Sequence, residues 1–304
     1  MKHLEGKVAI VTGGAGGVGT WVSKIFAEQG AKVVVADTGA DVEGRIGADP
    51  DRVHAVVDAI REAGGEAVAS VGDIADMDHA ESAVQLALDT YGDMDVIVCT
   101  HGILRERMIF NMGEADWDDL VRVHLKGCFA LTKFSAIHWR ANRDKGNRRV
   151  IYFTSSAGIR GVGGQPNYSA AHAGKIGLSL SNADALAGYG VTSNCIAPGA
   201  ATRMTDRGRG MGASGMASSE NAAGTRMDPK NVVPAVVYLA SDDSAELTGR
   251  SIGATGHTIS VWKEPEWVAS IYSETPYWDI DKLFQVMPGT LVATGIGPPE
   301  MQFP

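Results

Sequence analysis

Residues 168–178, YSAAHAGKIGL, place Tyr168 and His172 four positions apart, with Lys175 three positions later. On a helix this spacing puts the phenol and the imidazole on one face, about 6 Å apart along the axis. A phenol can exchange a proton with a substrate oxygen, but its ordinary pKa of about 10 makes it a weak base. An imidazole can relay a proton or bond a hydroxyl, and about a quarter of it is protonated at pH 7. The pair therefore indicates acid/base chemistry at an alcohol or carbonyl oxygen.

Apolar segments rich in β-branched residues alternate along the chain with helical stretches. They are KVAIVTGG, AKVVVAD, EAVASVGDI, MDVIVCTHG, RRVIYFTSS, GVTSNCIAPG and RSIGATG. Such strands are typical of a parallel sheet that is covered on both faces. The sequence predicts an α/β fold, a doubly wound Rossmann-type sheet of about seven strands. Ser155 ends the fifth strand and Tyr168 begins the next helix, so both are expected at the carboxyl edge, where ligands bind.

The glycine-rich loop VTGGAGGVG, residues 11–19, follows the first predicted strand and opens a helix. Gly13, Gly17 and Gly19 stand where a backbone must turn sharply and approach a ligand phosphate, which favours a dinucleotide site over an ordinary tight turn. Asp37 ends the second strand, where a carboxylate accepts hydrogen bonds from ribose hydroxyls and repels a 2'-phosphate. It therefore favours NAD over NADP; the alternative is a carboxylate that caps the following loop.

Composition excludes several classes of function. The net charge of −9 with no basic block argues against nucleic acid or an anionic membrane surface as the main partner. Three widely spaced cysteines fit neither a disulfide framework nor a paired-ligand metal site, and they suggest a reducing compartment. The first residues lack a signal peptide's apolar region, and no apolar run reaches the roughly 18 residues of a membrane span. We expect a cytoplasmic protein with no membrane contact.

The chain is expected to form one domain with a tail. Residues 1–257 would be the dinucleotide-binding catalytic domain, including a long loop at 38–50 and a mobile lid near 203–227 that is rich in Gly, Ser and Met. A disordered surface loop is the alternative to the lid. Residues 258–304 hold several tryptophans and prolines, and would pack as an ordered tail on the same or a neighbouring subunit.

With the glycine loop, Ser155, Tyr168 and APG at 197–199, the chain resembles the short-chain dehydrogenase/reductase family from about residue 5 to 255. It looks most like bacterial relatives of the 3-hydroxyacyl-CoA dehydrogenase domain of the peroxisomal multifunctional enzyme. The features that point there are GILRERMIFNMGEADWDDLVRVHLKG, the long loop after the second strand, GQPNYSAA and RMT. The resemblance implies that Ser155 polarises the substrate oxygen and that Tyr168 exchanges its proton.

The resemblance also implies a set of cofactor-binding residues. Asp73 and Ile74 would hold the adenine, and Pro198, Gly199 and Thr202 would shape the nicotinamide and phosphate end. A homo-oligomer, a dimer or a homotetramer, is implied through the helices around 105–140 and 166–188. The implied cofactor-binding residues are Thr12, Gly13, Gly17, Val18, Gly19, Asp37, Asp73, Ile74, Cys99, Gly102, Tyr168, His172, Pro198, Gly199 and Thr202.

His172 stands where the family carries a lysine, whose charge lowers the tyrosine pKa and whose ammonium holds the nicotinamide ribose. The imidazole keeps the position and loses the permanent charge. Lys175 is the alternative source of the missing charge: it lies about 10.5 Å of helix rise from Tyr168, and its side chain leans back toward that residue and partly bridges the gap. The ordinary interpretation of Lys175 is nevertheless a solvated helix residue.

Two further departures involve histidines. CTHG at 99–102 replaces the usual NNAG, and His101 could narrow the pocket close to the adenosine ribose. His124 replaces the asparagine of the usual catalytic tetrad. The multifunctional-enzyme branch has a similar pattern, so this change is not counted as damage to the site. His101, His124 and His172 come from different elements without ligand spacing, so we predict no metal site and expect the first two to be packed or bonded behind the cofactor.

The sequence thus predicts an NAD-dependent oxidoreductase that interconverts a secondary alcohol and a ketone on a bulky substrate, either a 3-hydroxyacyl thioester or a steroid-like or other cyclic alcohol. Its catalytic residues would be Ser155, Tyr168, His172 and His124. Two alternatives stay open on the same scaffold. One is a non-redox lyase, dehydratase or isomerase that uses Tyr168 and His172 as an acid/base pair; the other is a catalytically silent subunit that binds NAD or a partner.

Overall fold

The computed structural model describes residues 2–45, 47–207, 218–263, 267 and 269–291. The chain divides into two compact units, residues 1–262 and 263–304. Within the described residues, no helix combines the length and the apolar character needed to cross a membrane.

The first unit is built on one eight-stranded sheet in the order β3-β2-β1-β4-β5-β6-β7-β8. Every neighbouring pair is parallel except the last, β7 with β8, which is antiparallel. The strands are β1 (Val8–Thr12), β2 (Lys32–Asp37), β3 (Glu66–Val71), β4 (Val96–Cys99), β5 (Arg148–Phe153), β6 (Val191–Gly199), β7 (Ser251–Thr255) and β8 (Thr258–Val261). The predicted fold class and the seven predicted strands are confirmed.

The eighth strand escaped the sequence analysis because all four of its residues are exposed at the sheet edge, so it carries no buried apolar pattern. It pairs with β7 from Ile252↔Val261 to Thr255↔Thr258. The first unit therefore reaches residue 262, beyond the predicted boundary at 257.

Helices connect the strands and cover the sheet. They are α1 (Gly17–Glu28), α2 (Pro50–Glu62), α3 (Met77–Tyr91), α4 (Glu114–Val121), α5 (Gly127–Ala141), α6 (Ser156–Arg160), α7 (Pro166–Ala185), α8 (Arg203–Arg207) and α9 (Val233–Ala240). A π-helical turn, Arg122–Lys126, joins α4 to α5. The helix α1 shows the principle: Val18, Val22 and Phe26, four positions apart, form the stripe that it buries against the sheet.

The sheet is buried on both faces. Along β2, Val33 and Val35 enter the core cluster on one face, and Val34 and Ala36 enter the cluster on the other. Successive side chains of a strand point to opposite faces, so a strand covered on both sides must be apolar at every position. This requirement explains the uninterrupted apolar runs in the sequence.

The strand order reverses between β3 and β4, because the chain runs outward from β1 to β3 and then returns to the other side of β1. In open α/β sheets such a switch point leaves a crevice beyond the carboxyl ends of the strands. The register aligns Thr12, at the end of β1, with Cys99 at the end of β4. The glycine loop and the segments after β4 and β5 therefore meet at one edge.

Two predicted features are described only in part. Residues 203–207 of the predicted lid form α8, residues 218–227 contain a single 3₁₀ turn, and 208–217 lie outside the described residues. In the second unit, the described residues contain a short helix, α10 (Ile280–Val286), capped by the Asp279 side chain, which accepts a hydrogen bond from the Lys282 amide. Residues 264–266, 268 and 292–304 of the predicted tail lie outside the described residues.

A buried ion cluster ties the amino-terminal ends of the central strands. Arg148, at the start of β5, is fully buried and donates to Asp95 and, at 3.1 and 3.2 Å, to both carboxylate oxygens of Asp93. His138 and Lys145 contact the same Asp93 carboxylate at 2.8 and 2.9 Å. Burial by itself raises the pKa of Asp93, but the hydrogen bonds from Lys145, His138 and Arg148 outweigh it and hold that pKa below its usual range.

We expect Asp93→Asn to lower the free energy of unfolding by about 3 kcal/mol at pH 7, because it removes half of the countercharge of a buried guanidinium. The carboxyl has a depressed folded pKa, so its contribution is complete above the unfolded value of about 3.9 and is lost as the pH falls below it. Urea unfolding at neutral pH and near pH 3 checks both statements, with the exposed Asp144→Asn as control. An equal loss at the two pH values would contradict the assigned charge interaction.

Candidate active site

Three of the four predicted catalytic side chains form one ring cluster beyond the carboxyl ends of β4 and β5. The ring centroids of Tyr168 and His172 are 4.1 Å apart, those of His124 and His172 4.8 Å, and those of His124 and Tyr168 5.2 Å. The Ser155 side chain joins them through a hydrogen bond to Tyr168. The structure thus brings together the side chains that the sequence singled out for acid/base chemistry.

The helix α7 carries Tyr168, His172 and Lys175 on one face, because positions i, i+4 and i+7 fall one above another. Two contacts position this helix, one with the residue that follows β5 and one with α6. The Thr154 hydroxyl donates to the carbonyl of His172 at 2.9 Å. A Cβ at Gly158 would lie 2.7 Å from the carbonyl carbon of His172, so only a glycine lets α6 approach α7 this closely.

His124 lies in the π-helical turn and is held at both ring nitrogens. Its Nε2 is 2.7 Å from the Ile103 carbonyl oxygen, and its Nδ1 is 3.2 Å from Nζ of Lys175. The Lys175 contact favours a ring that accepts at Nδ1 and donates from Nε2 to the Ile103 carbonyl, whereas the Ile103 amide, 3.0 Å from the same Nε2, would need that nitrogen as an acceptor. Gly102 makes room for this ring, since a Cβ there would collide with it.

Lys175 corrects one sequence-based expectation. It is 1% exposed, and its ammonium donates to the Phe153 carbonyl at 3.0 Å as well as to His124. The interpretation of Lys175 as a solvated helix residue is therefore wrong. The reason is the helical period, which turns position 175 toward the same interior face as Tyr168. No carboxylate among the described residues forms an ion pair with it.

The environment shifts the pKa values of all three rings. Burial raises the pKa of Tyr168 to about 12, against a lowering by the hydrogen bond with Ser155, and the Glu106 charge raises it further. Burial lowers the pKa of His172 well below its usual value, and the Lys175 charge adds to that effect. The same two causes lower the pKa of His124. Both imidazoles are consequently neutral at physiological pH, so the partial protonation expected for His172 is absent.

The ring nitrogens of His172 show whether a ligand fits beside the ring cluster. It is 3% exposed, and both of its ring nitrogens are buried without a hydrogen-bond partner among the described residues. Buried polar atoms are rarely left unpaired, because each costs about 1–3 kcal/mol. The two ring nitrogens therefore fit hydroxyl groups of a bound ligand, such as those of a ribose.

The glycine loop is shaped for close backbone approach. Gly13 has a φ of +66°, and a Cβ there would lie 2.6 Å from the His101 amide nitrogen. Gly17 has a φ of +39° and faces Thr202 from the segment after β6, with 3.3 Å between its ideal Cβ position and Cγ2 of Thr202. The predicted phosphate and nicotinamide ends of the site, carried by Gly17 and Thr202, are thus neighbours in space.

His101 lies behind this loop. Its Nδ1 is 2.5 Å from the Thr12 hydroxyl oxygen, and its Nε2 is 4.0 Å from the Cys128 sulfur. A Cβ at Gly127 would lie 2.6 Å from Nε2, so the ring is packed against the start of α5. His101 is therefore a bonded residue at the base of the loop, as the packed interpretation expected. Among the described residues, no group of three His, Cys, Asp or Glu side chains could hold a metal ion.

Asp37 receives two backbone amides. Its Oδ2 accepts from Ala15 of the glycine loop at 2.9 Å, and its Oδ1 accepts from Gly39 at 2.8 Å. The carboxylate therefore also organises the following loop, which was the alternative interpretation. Lone pairs remain on both oxygens for ribose hydroxyls.

Two arginines near Asp37 were missed by the sequence analysis. Nη2 of Arg203 and Oδ2 of Asp37 both lie 3.9 Å from the ideal Cβ position of Gly16. Arg52 donates to the carbonyls of Gly39 and Ala40 in the loop after β2. Burial and the neighbouring charge of Arg52 lower the pKa of Arg203, and the Asp37 charge opposes them. The arginines belong to α2 and α8, so no local pattern could reveal them.

The other predicted cofactor contacts divide into two groups. Asp73 is at the surface, where it pairs with Arg122 at 2.7 Å and accepts from the Ala75 amide. Cys99 is 0% exposed and enters the core with Ile97, because alternate residues of β4 share a face. This placement does not support a cofactor contact for Cys99. The remaining positions lie in α1, after β3 or at the end of β6: Val18, Gly19, Ile74, Pro198 and Gly199.

Comparison with known proteins agrees with this arrangement. Residues 7–211 match the family described as short chain dehydrogenase. Hydroxyacyl-CoA dehydrogenase ChsB1 of Mycobacterium tuberculosis is 36% identical over 287 residues, which cover 92% of this chain and 87% of that protein. A crystal structure of a short chain dehydrogenase from Mycobacterium avium superposes with a TM-score of 0.83 at 38% identity and covers 95% of this chain and 96% of that one.

A longer relative is the peroxisomal multifunctional enzyme type 2 of Mus musculus. It is 40% identical over 247 residues, which cover 81% of this chain but 31% of the mouse enzyme. The chain thus spans about a third of that protein.

The close approach of α6 to α7 gives a stability test. We expect Gly158→Ala to lower the free energy of unfolding by about 1–3 kcal/mol, because the added methyl group forces the two helices apart at His172. Gly163→Ala in the same connection is the matched control, since a Cβ there meets no atom within 4 Å. Urea unfolding of both variants checks this; equal stability would contradict the observed packing.

Proposed function

Since the chain belongs to the short-chain dehydrogenase family, it is an oxidoreductase, and we propose that it uses NAD to interconvert a secondary alcohol and a ketone on a bulky substrate, first of all a 3-hydroxyacyl thioester. The observation that carries the proposal is the joint placement of Ser155 and Tyr168 beside a buried histidine with two unpartnered ring nitrogens. The names of the hydroxyacyl-CoA dehydrogenase and the multifunctional enzyme support the thioester as substrate class.

The residues present fit a nicotinamide cofactor. The family uses NAD or NADP, and when bound this group supplies or accepts the hydride. The amides of the glycine loop would hold its pyrophosphate, Asp37 its adenosine ribose, and the unpartnered nitrogens of His172 its nicotinamide ribose. The three assignments agree with the strand order, because the adenosine end lies after β2, the pyrophosphate after β1 and the nicotinamide end near β5.

The protein itself handles the proton. The Ala157 amide donates to Oγ of Ser155 at 3.1 Å, and the serine hydroxyl, which here hydrogen-bonds Tyr168, would turn its proton to a substrate oxygen. Tyr168 would give its proton to that oxygen during ketone reduction and would take it back during alcohol oxidation. His124 and His172, both neutral, would orient the phenol and the ribose without supplying charge.

An apolar substrate suits the rim of this site. Met204 of α8 places its sulfur 3.9 Å from the Tyr168 hydroxyl. The loop after β4 exposes Met108, Ile109 and Phe110, and it is anchored beside the start of α7 by the hydrogen bond from the Arg107 amide to the Gly164 carbonyl at 2.9 Å. Thioether and apolar side chains adapt to acyl chains or fused rings. This rim supports the assignment of a bulky substrate over a small polar alcohol.

Assembly and location complete the proposal. Phe129 and Ile137 on α5 and Leu180 on α7 expose large apolar surfaces on the helices proposed to form a dimer or tetramer. The cysteines at 99, 128 and 195 are all free and buried, which fits a reducing, cytoplasmic compartment.

One observation favours a second candidate, a catalytically silent or non-redox member of the family. The Tyr168 pKa of about 12 and the two neutral imidazoles leave the phenol a weak base near pH 7. Fluorescence titration with NADH and assay of 3-hydroxyacyl thioesters separate the candidates. Cofactor binding with no redox turnover of thioesters or steroids would favour the silent or non-redox alternative.

We expect the rate of alcohol oxidation to rise about tenfold per pH unit from pH 7 to 10, because the reactive phenolate is a minor species below the Tyr168 pKa of about 12. Tyr168→Phe should lose turnover by about 10³-fold or more and still bind NADH. Steady-state kinetics across this pH range provide the test. A profile that is flat between pH 7 and 10 would rule out Tyr168 as the titrating base.

The choice between cofactors gives a second check. We expect NADH to bind at least tenfold more tightly than NADPH, because Asp37 repels the 2'-phosphate. In Asp37→Ser the preference should fall by about tenfold or reverse, since Arg52 and Arg203 remain beside the vacated position. Nicotinamide fluorescence measures both affinities, with exposed Asp51→Ser as the control. An unchanged ratio in Asp37→Ser would remove Asp37 from the recognition of the ribose.

A further inference from the structure

Glu106 lies between two arginines in the loop after β4, yet neither arginine pairs with its carboxylate. Arg105 donates to the carboxylate of Asp119 at 2.6 Å. Arg107 approaches Asp116 and donates to the backbone carbonyl of Glu106. Among the described residues the Glu106 carboxylate forms no ion pair, so both flanking positive charges are used elsewhere and its negative charge is left uncompensated.

Hydrogen bonds hold this carboxylate at the start of α7. Its Oε1 accepts from the side-chain amide of Gln165, the residue that precedes α7. The Asn167 side chain donates to the Arg105 carbonyl at 3.1 Å and accepts from the Tyr168 amide at 2.8 Å, which ties the loop to the helix. Gln165 and Tyr168 are three positions apart and lie on the same side of the helix. Glu106 is thus fixed within about 10 Å of the phenol.

The charge on this side of Tyr168 is negative. Burial raises the pKa of Tyr168, and the Glu106 charge raises it further. His124 and His172 are neutral, so neither ring offers a cation. Lys175 is buried and donates to His124 and to a carbonyl of β5. A substrate carboxylate beside the phenol would therefore meet a negative charge, whereas the cation of the cluster is already bonded to two acceptors.

We propose that Glu106 is a specificity-determining residue, whose charge excludes free 3-hydroxy acids from the site and admits their neutral thioesters. This inference deepens the proposed function and rests on it. In a 3-hydroxy acid the carboxylate carbon is two bonds from the carbon that carries the reacting hydroxyl, so the charge must enter the site with that hydroxyl. A thioester has no charge at this position, and sites that bind carboxylates commonly present an arginine or a lysine instead of a glutamate.

The expected strength of this selection follows from the separation of the charges. At an effective dielectric constant of about 20, two like charges about 10 Å apart lower the affinity for the charged ligand about tenfold. Glu106→Gln removes the charge and keeps a side chain of the same shape that can still bond Gln165. The variant therefore changes the electrostatics of the site with little change in its packing.

The test compares two ligands with the same acyl chain, 3-hydroxyoctanoate and its N-acetylcysteamine thioester. At about pH 8 the acid is ionised and the thioester is neutral. Each ligand is titrated into the full-length protein saturated with NADH, and nicotinamide fluorescence reports binding without turnover, because ligand and cofactor are both in the reduced form. We expect Glu106→Gln to tighten binding of the acid about tenfold and to leave that of the thioester within about twofold.

Three further variants control the comparison. Glu106→Asp keeps the charge and should keep the discrimination against the acid. Glu114→Gln removes an exposed negative charge at the start of α4 and should change neither affinity. Glu106→Ser is uncharged and smaller, and it gives the same comparison if Glu106→Gln does not fold. An equal gain for both ligands would mean that shape and not charge acts, and an unchanged affinity for the acid would mean that the charge is not felt; either result overturns the proposal.

Turnover with NAD distinguishes this inference from the proposed function. In a working dehydrogenase, Glu106→Gln should raise the ratio of kcat/KM for the acid to kcat/KM for the thioester about tenfold. Oxidation of the thioester with an unchanged ratio would support the function and reject the role of Glu106. Selective tightening of the acid in a protein that oxidises neither ligand would refute the function and leave the role standing. A thioester that does not bind the NADH complex would overturn both.

Discussion

The two hydrogen bonds of the Lys175 ammonium hold the active site together. One ends on the carbonyl of Phe153 in β5, and the other on His124 in the π-helical turn, so a single buried charge joins α7, the sheet and the start of α5. His124 in turn contacts both the carbonyl and the amide of Ile103, in the loop after β4, through Nε2. This interaction thus links the loop after β4, the ring cluster and the sheet.

The position of His172, considered alone, suggests a partly protonated imidazole beside Tyr168. The charges of the folded site are arranged differently. Burial makes both histidines neutral, and the charge of Lys175 reinforces that state, so neither ring offers the phenol a cation. His172 carries two buried ring nitrogens without a hydrogen-bond partner among the described residues, and Lys175 is buried on the same helix face.

The adenosine end shows a comparable balance of charge. Asp37 is engaged by the amides of Ala15 and Gly39, and Arg52 and Arg203 lie around it from separate helices. The carboxylate opposes a 2'-phosphate and the guanidiniums favour one. The net preference for NAD or NADP depends on the distances between these charges in the folded loop after β2. Those distances cannot be deduced from the sequence alone.

Much of the architecture could be predicted from the sequence because it depends on local rules. A strand buried on both faces must be apolar throughout, so seven strands were visible, and glycine spacing between a strand and a helix marked the dinucleotide loop. The exposed strand Thr258–Val261 was missed for the same reason, since nothing buries it. Helical periodicity placed Tyr168 and His172 on one face, and the structure confirms that placement.

The sequence by itself thus determined the sheet, the edge at which the site lies and the identity of the phenol and serine within it. Only the tertiary structure decided that Lys175 is buried, that both histidines are neutral and that two distant arginines surround Asp37. The physical reason is that periodicity records which residues share a face. Desolvation and charge pairing depend on which other elements cover that face, and those elements are brought together only by the fold.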